Sequence, residues 1–229
     1  MLRFLAFLSI LVSFLPCYHF ITARTANAEE LSDLLIEAAE LGDMGRVQAL
    51  IEEGAPVDAK NADGWTALMK AVYEGHDDLV TMLIANGADV DAQENAGWTA
   101  LMMASQFGHL NIVRKLIAIG ADVNMKNNFG ATALMFAAIN GQDGVIRDLL
   151  EAGANINVRD NQGKTAIMFA ASNGFQAVVQ NLILSGANIK TRDGTGNTAL
   201  ILATKQGNSD VVRVLLENCA DVQVVDNRG

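Results

Sequence analysis

The sequence predicts an all-α repeat array, a solenoid of stacked helix–turn–helix units joined by extended hairpin loops. Three observations predict it. The stretch GWTALM stands at Gly64–Met69 and again at Gly97–Met102, 33 residues on. Gly64, Gly97, Gly130, Gly163, Gly196 and Gly229 keep that interval without a gap. The 229 residues are 51% hydrophobic with only two prolines and 6% aromatics, a composition suited to helices of Ala, Leu, Ile and Val. A unit of this period cannot bury its apolar side alone, whereas stacked neighbours can.

Each element of the unit has a physical cause. Thr66 is a good N-cap, because its hydroxyl can accept from a free N–H of the first turn. A short helix follows, with Leu68, Ala71 and Val72 on one side, and Gly75 ends it in the left-handed conformation that closes helices. A second helix carries Leu79, Val80, Leu83 and Ile84 on one face and ends at Gly87. The polar run from Asp91 to Gly97 is turn material leading into the next unit. The same letters recur: Thr99-Ala100-Leu101, Thr132-Ala133-Leu134, Thr165-Ala166-Ile167 and Thr198-Ala199-Leu200 open first helices. Gly120-Ala121-Asp122-Val123, Gly153-Ala154-Asn155-Ile156 and Gly186-Ala187-Asn188-Ile189 close second ones.

Residues 1–28 are a different material. Arg3 precedes an apolar run from Phe4 to Leu15, and Ala26-Asn27-Ala28 follows. These are the parts of a secretory signal peptide cleaved after Ala28. An uncleaved anchor is the rival reading, although the apolar core is short for a spanning helix. Acylation at Cys17 is a third, but Leu15 and Pro16 do not suit the small residues such a site needs. Cleavage removes Arg3 and Arg24 and no acid, taking the formal charge from −10 to −12. A chain so acidic should avoid nucleic acid and anionic lipid. It would keep one cysteine, Cys219, and so no internal disulfide.

The repeated unit resembles the ankyrin repeat, whose pattern runs D-x-x-G-x-T-P-L-H-x-A-A-x-x-G-H, then an apolar helix and G-A-D-V-N. The likeness covers residues 61–93, 94–126, 127–159, 160–192 and 193–225 as five full repeats. Residues 29–60 read as a degenerate capping repeat with Asp33, Glu37 and Glu40 facing solvent. Residues 226–229 read as the opening of a further one. The apolar helices around Leu200, Leu202, Val212 and Leu216 then lack a polar terminal repeat. The expectation is that the chain continues or that a partner covers this edge.

Departures from the pattern carry information. The family proline is replaced by Ala67, Ala100, Ala133, Ala166 and Ala199, and alanine is the better helix former. The family histidine is replaced by Met69, Met102, Met135, Met168 and Ile201, which must act by packing. Exported ankyrin proteins of Gram-negative bacteria share this T-A-L-M form, so the resemblance implies the periplasm. Cys219 stands where other repeats have glycine. If the backbone there is left-handed, a side chain costs about 1 kcal/mol. The alternatives are drift in a tolerant last repeat, or an exposed thiol that cross-links a partner or a second copy of an otherwise monomeric protein.

No pattern in the chain carries catalysis. His76 and His109 follow the glycine between helices, where the family also has histidine, and no third metal ligand stands at the needed spacing. No nucleophile motif such as G-x-S-x-G is present. Gly194-x-Gly196-x-x-Ala199 matches a dinucleotide fingerprint in letters, but Gly196 and Ala199 are repeat positions outside any parallel-sheet unit. The methionine column could suit Cu(I) or scavenge oxidants, yet the resemblance spaces the repeats too widely for a shared ion. The expectation is a non-catalytic protein without cofactor or metal.

The resemblance implies a protein partner, bound at loop tips and the exposed side of each first helix, a concave face. Carried over, these positions are Asp63, Trp65, Tyr73 and Glu74; Ala96, Trp98, Gln106 and Phe107; and Phe129, Ala131, Ile139 and Asn140. The last two repeats supply Gln162, Lys164, Ser172 and Asn173, then Thr195, Asn197, Lys205 and Gln206. Both tryptophans and Tyr73 fall here, and with Phe107, Phe129 and Ile139 they concentrate in the first three full repeats. Large aromatics of this kind make interface anchors, unless each simply packs across a seam. An envelope scaffold, an inhibitor or immunity protein for a basic toxin, and the regulatory arm of an enzyme continuing past Gly229 are the competing functions.

Overall fold

The structure, a computed structural model, describes residues 29–228. The leader expected over 1–28, with its alternatives, lies outside the described residues, as does Gly229. Twelve helices follow one another and no strand occurs among the described residues. They are α1 (29–40) and α2 (Met44–Glu52), then five pairs. These are α3 (Ala67–Glu74) with α4 (Asp77–Ala85), α5 (Ala100–Phe107) with α6 (Leu110–Ala118), and α7 (Ala133–Ile139) with α8 (Asp143–Glu151). The last are α9 (Ala166–Ser172) with α10 (Gln176–Leu184), and α11 (Ala199–Gln206) with α12 (Ser209–Glu217).

The first helices stack α3 on α5 on α7 on α9 on α11, and the second helices stack α4 on α6 on α8 on α10 on α12. Alanines let the first layer approach closely: Ala67, Ala71, Ala100, Ala104, Ala133, Ala137, Ala166, Ala170, Ala199 and Ala203 are all buried. Leu79, Val80 and Leu83 of α4, and their equivalents in later repeats, fill the space between layers. The core is therefore continuous from Leu35 to Leu215. Met69, Met102, Met135 and Met168 are each about 1% exposed, so the methionine column packs in this core. In the first pair, Asp33, Glu37 and Glu40 are exposed while Leu35 and Ala39 are buried, giving the expected polar outer side.

The caps follow the chemistry of the letters, with two exceptions. Thr66, Thr99 and Thr198 accept from the N–H of Met69, Met102 and Ile201. Thr132 and Thr165 make no such bond; their backbone carbonyls accept from Met135 and Met168 at 3.0 Å instead. The Thr165 hydroxyl is left buried without a partner. Gly75 closes α3 at φ 79°, as expected. Cys219 lies at φ 62°, and no other described non-glycine residue has positive φ.

Three ladders join the repeats. Along the loop tips, the side-chain amides of Asn95, Asn128 and Asn161 donate to the carbonyls of Ala62, Asn95 and Asn128 at 2.9–3.0 Å. Closer to the second helices, Asp58, Asp91, Asn124 and Asn157 accept from the N–H of Asp89, Asp122, Asn155 and Asn188. Lys190 takes that place at the last joint and has no acceptor to offer. At the turn between helices, a side chain from the following repeat covers each of the first five closing glycines. His76 lies against Gly42, His109 against Gly75, Gln142 against Gly108, Phe175 against Gly141 and Asn208 against Gly174. Gly207 has nothing over it among the described residues.

Candidate partner-binding surface

The loop tips fix the aromatic side chains. Asn61 closes a tight hairpin: its N–H donates to the Trp65 carbonyl, and its Oδ1 accepts from the N–H of Asp63 and Trp65. Glu94 does the same for the next repeat, accepting from the N–H of Ala96 and of Trp98, the latter at 2.8 Å. Asn127 holds Phe129 and Ala131 in this way. Each Asx- or Glu-closed loop thus pins the residue that enters the first helix. Tyr73 and Phe107 come from the last turns of α3 and α5, on the side turned toward the loops.

Between the first two full repeats these groups converge. Trp65 meets Tyr73 edge to face, with centroids 5.5 Å apart. Tyr73 meets Phe107 likewise at 4.8 Å, across the seam. Trp98 joins them around a cleft of about 240 Å³, with Glu94, Ala96, Met103 and Gln106 completing its walls. Tyr73 and Phe107 remain 42% and 41% exposed. The tryptophans differ from the expectation of exposed rings: both are half-buried and packed on the core. The reason is packing, across the seam for Trp98 and within its own repeat for Trp65. Trp98 stacks on Phe136 of the next repeat at 4.0 Å, and Lys70 Nζ stands 4.9 Å from the Trp65 ring.

The other expected positions lie apart from this cleft. Asp63 and Glu74 are exposed beside it. Phe129 is 64% exposed and makes no ring contact among the described residues, so it is a separate apolar knob on a loop tip. Ile139 is half-buried against the core, and Asn140 turns its amide back onto the Phe136 carbonyl to cap its own helix.

The last two repeats are polar on this side. Gln162, Lys164, Thr195 and Asn197 border a separate depression. Lys205 donates to Asn197 and ion-pairs with Asp226, both at 2.6 Å. Asp193 sits beneath, 7% exposed. Burial works against its charge. The N–H and side-chain amide of Asn197, with the hydroxyl and N–H of Thr195, outweigh that and hold its pKa below the ordinary carboxylate value.

Met103 and Phe136 were not among the expected surface residues. The signal that reaches them is helical period: Lys70, Met103 and Phe136 precede Tyr73, Gln106 and Ile139 by three positions and share their face. His76 and His109 are structural joints, with Nε2 3.0 Å from the Glu40 carbonyl and 3.3 Å from the Tyr73 carbonyl. Gly194 and Gly196 belong to a loop tip, where the Gly194 N–H donates to the Gln162 carbonyl.

Fold and surface together define a helical repeat scaffold that presents side chains from loop tips and first helices. Comparison with protein families agrees. A family model described as ankyrin repeats in three copies matches residues 16–94, 34–127, 86–160, 110–193 and 134–226, overlapping windows that span most of the chain. The chain belongs to the ankyrin-repeat family. Repeats of this family are generally protein-interaction modules and typically non-catalytic. A comparison with curated proteins gave no match. No helix among the described residues is long and apolar enough to cross a membrane.

Proposed function

We propose that this protein is a non-catalytic interaction module of the bacterial cell envelope that binds one protein partner through its first-helix face. The observation that carries the reading is the cleft between Trp65, Tyr73, Trp98 and Phe107, where Tyr73 and Phe107 of two repeats stay exposed beside the half-buried tryptophans. Partly desolvated aromatic pockets are where interfaces concentrate their binding energy. Export through the leader at residues 1–28 supports an envelope location, and the Cys219 thiol offers a disulfide to a second copy or a partner.

The test is capture from an envelope extract with the protein and with its Trp65→Ala/Trp98→Ala double variant, both checked for helicity by circular dichroism. A protein retained by the parent and lost by the folded variant supports the reading. Equal retention by both moves the site elsewhere and refutes the anchor assignment. The acidity of the chain favours a second reading, an inhibitor of a basic protein; binding that weakens steeply with salt would select it.

A further inference from the structure

We infer that the aromatic cleft receives the ammonium end of a lysine side chain presented by the partner. This rests on the first-helix face being the binding surface and specifies what it recognises. The arrangement of the rings comes first. Tyr73 stands at 77° to Trp65 and at 74° to Phe107. The three rings are adjoining walls rather than a parallel stack. A flat guanidinium is served best by stacking on a face, whereas walls that meet near right angles surround a compact ammonium.

Charge comes second. Glu94 is the one carboxylate lining the cleft. Its partners are backbone N–H groups of Ala96 and Trp98, and no ion pair to it occurs among the described residues. A neutral anchor filling the cleft would strip water from this carboxylate and give nothing back. An ammonium neutralises it, while the four-carbon stem lies against Met103 and the rings. The formal charge of −10 draws basic segments toward the surface from a distance.

The same chemistry already occurs at one of these rings. Lys70, which does not line the cleft, holds its Nζ 4.9 Å from the Trp65 centroid while pairing with Glu40 at 3.1 Å. The Trp65 indole therefore carries one ammonium next to a carboxylate, and the cleft repeats that pairing with Glu94 for an incoming one.

The experiment titrates ¹⁵N-labelled protein with two blocked peptides, Gly-Ser-Gly-Lys-Gly-Ser-Gly and the same chain with norleucine for lysine. The two indole N–H signals report directly, because Trp65 and Trp98 are the only tryptophans. The lysine peptide should shift both and bind about fivefold more tightly than the norleucine peptide. Glu94→Gln, which keeps an oxygen for Ala96 and Trp98, should remove most of that preference. Tyr73→Leu, at a position 42% exposed and checked for helicity by circular dichroism, should abolish the shifts. Equal or tighter binding of the norleucine peptide overturns the inference and leaves the face as an apolar anchor site, so the proposed function survives. Lysine-dependent shifts unchanged in Tyr73→Leu overturn it as well. Silence from both peptides at concentrations on the order of 10 mM overturns the inference too, while the proposed function is decided separately by the capture experiment with the Trp65→Ala/Trp98→Ala variant.

Discussion

The His109 ring lies against Gly75 one repeat earlier, close enough that a Cβ there would stand 2.8 Å from Cε1, while Nε2 is 3.3 Å from the Tyr73 carbonyl. The glycine is needed twice, for its φ of 79° and for the space the imidazole occupies. Gly75→Ala should destabilise the protein by about 2 kcal/mol, from backbone strain plus this contact. His109→Ala should cost about 1 kcal/mol through the lost hydrogen bond. In the double variant the contact is gone, so its cost should fall short of the sum by at least about 0.5 kcal/mol. Urea unfolding of the four proteins measures this coupling; strict additivity would mean the ring does not bear on the glycine.

Cys219 occupies the left-handed closing position that the four preceding full repeats give to glycine, at φ 62°. Cys219→Gly should raise stability by about 1 kcal/mol, visible as a higher urea midpoint with an unchanged slope. The thiol is exposed, so the gain cannot come from packing.

Thr66 and Thr165 carry the same letter and do different jobs. Thr66→Val removes a hydroxyl that caps α3 and should cost about 1 kcal/mol. Thr165→Val removes a buried hydroxyl with no partner and should be neutral or stabilising. A matched loss in both variants, read from thermal unfolding, would show that the Thr165 hydroxyl is satisfied in solution.

Asp193 ties acid sensitivity to one loop. Its folded pKa is lowered, so the stability it contributes is complete above the unfolded value of about 3.9 and is lost as pH falls through the folded value. Asn61 and Asn127 close equivalent loops with an amide. Asp193→Asn should therefore fold normally at pH 7 and lose less melting temperature than the parent between pH 4 and pH 2. Parallel melting curves across that range would assign the acid dependence elsewhere.

Most of the fold was legible because it is set by residues that repeat. Gly75 and Gly87 act through their own backbone geometry and Thr66 through a hydroxyl that reaches only its own first turn, and the 33-residue interval copies these local effects down the chain. The burial of Met69 and its equivalents followed from what methionine lacks. What single letters did not reveal depends on contacts across seams. Trp98 is half-buried because Phe136, 38 residues later, meets its face. Thr165 loses its cap although, like Thr66, it has glycine two residues before it and alanine directly after it. Met103 belongs to the cleft through one further helical turn beyond the positions expected at the surface, and Glu94 through its loop leaning against Trp98.

Asn128 gives its side-chain amide to Asn95 and takes that of Asn161 on its own carbonyl. Joints built from the same parts on both sides are interchangeable. A whole 33-residue unit copied or excised between Asn95 and Asn161 remakes the joint it interrupts, so the array can gain or lose length by unequal exchange without searching for a new interface. A single substitution has no such freedom: replacing Asn128 removes the side-chain bond to Asn95 and leaves that joint with nothing to remake it, although the backbone carbonyl still takes the Asn161 amide. The lineage of such a chain should therefore vary more readily in how many units it carries than in what these asparagines are.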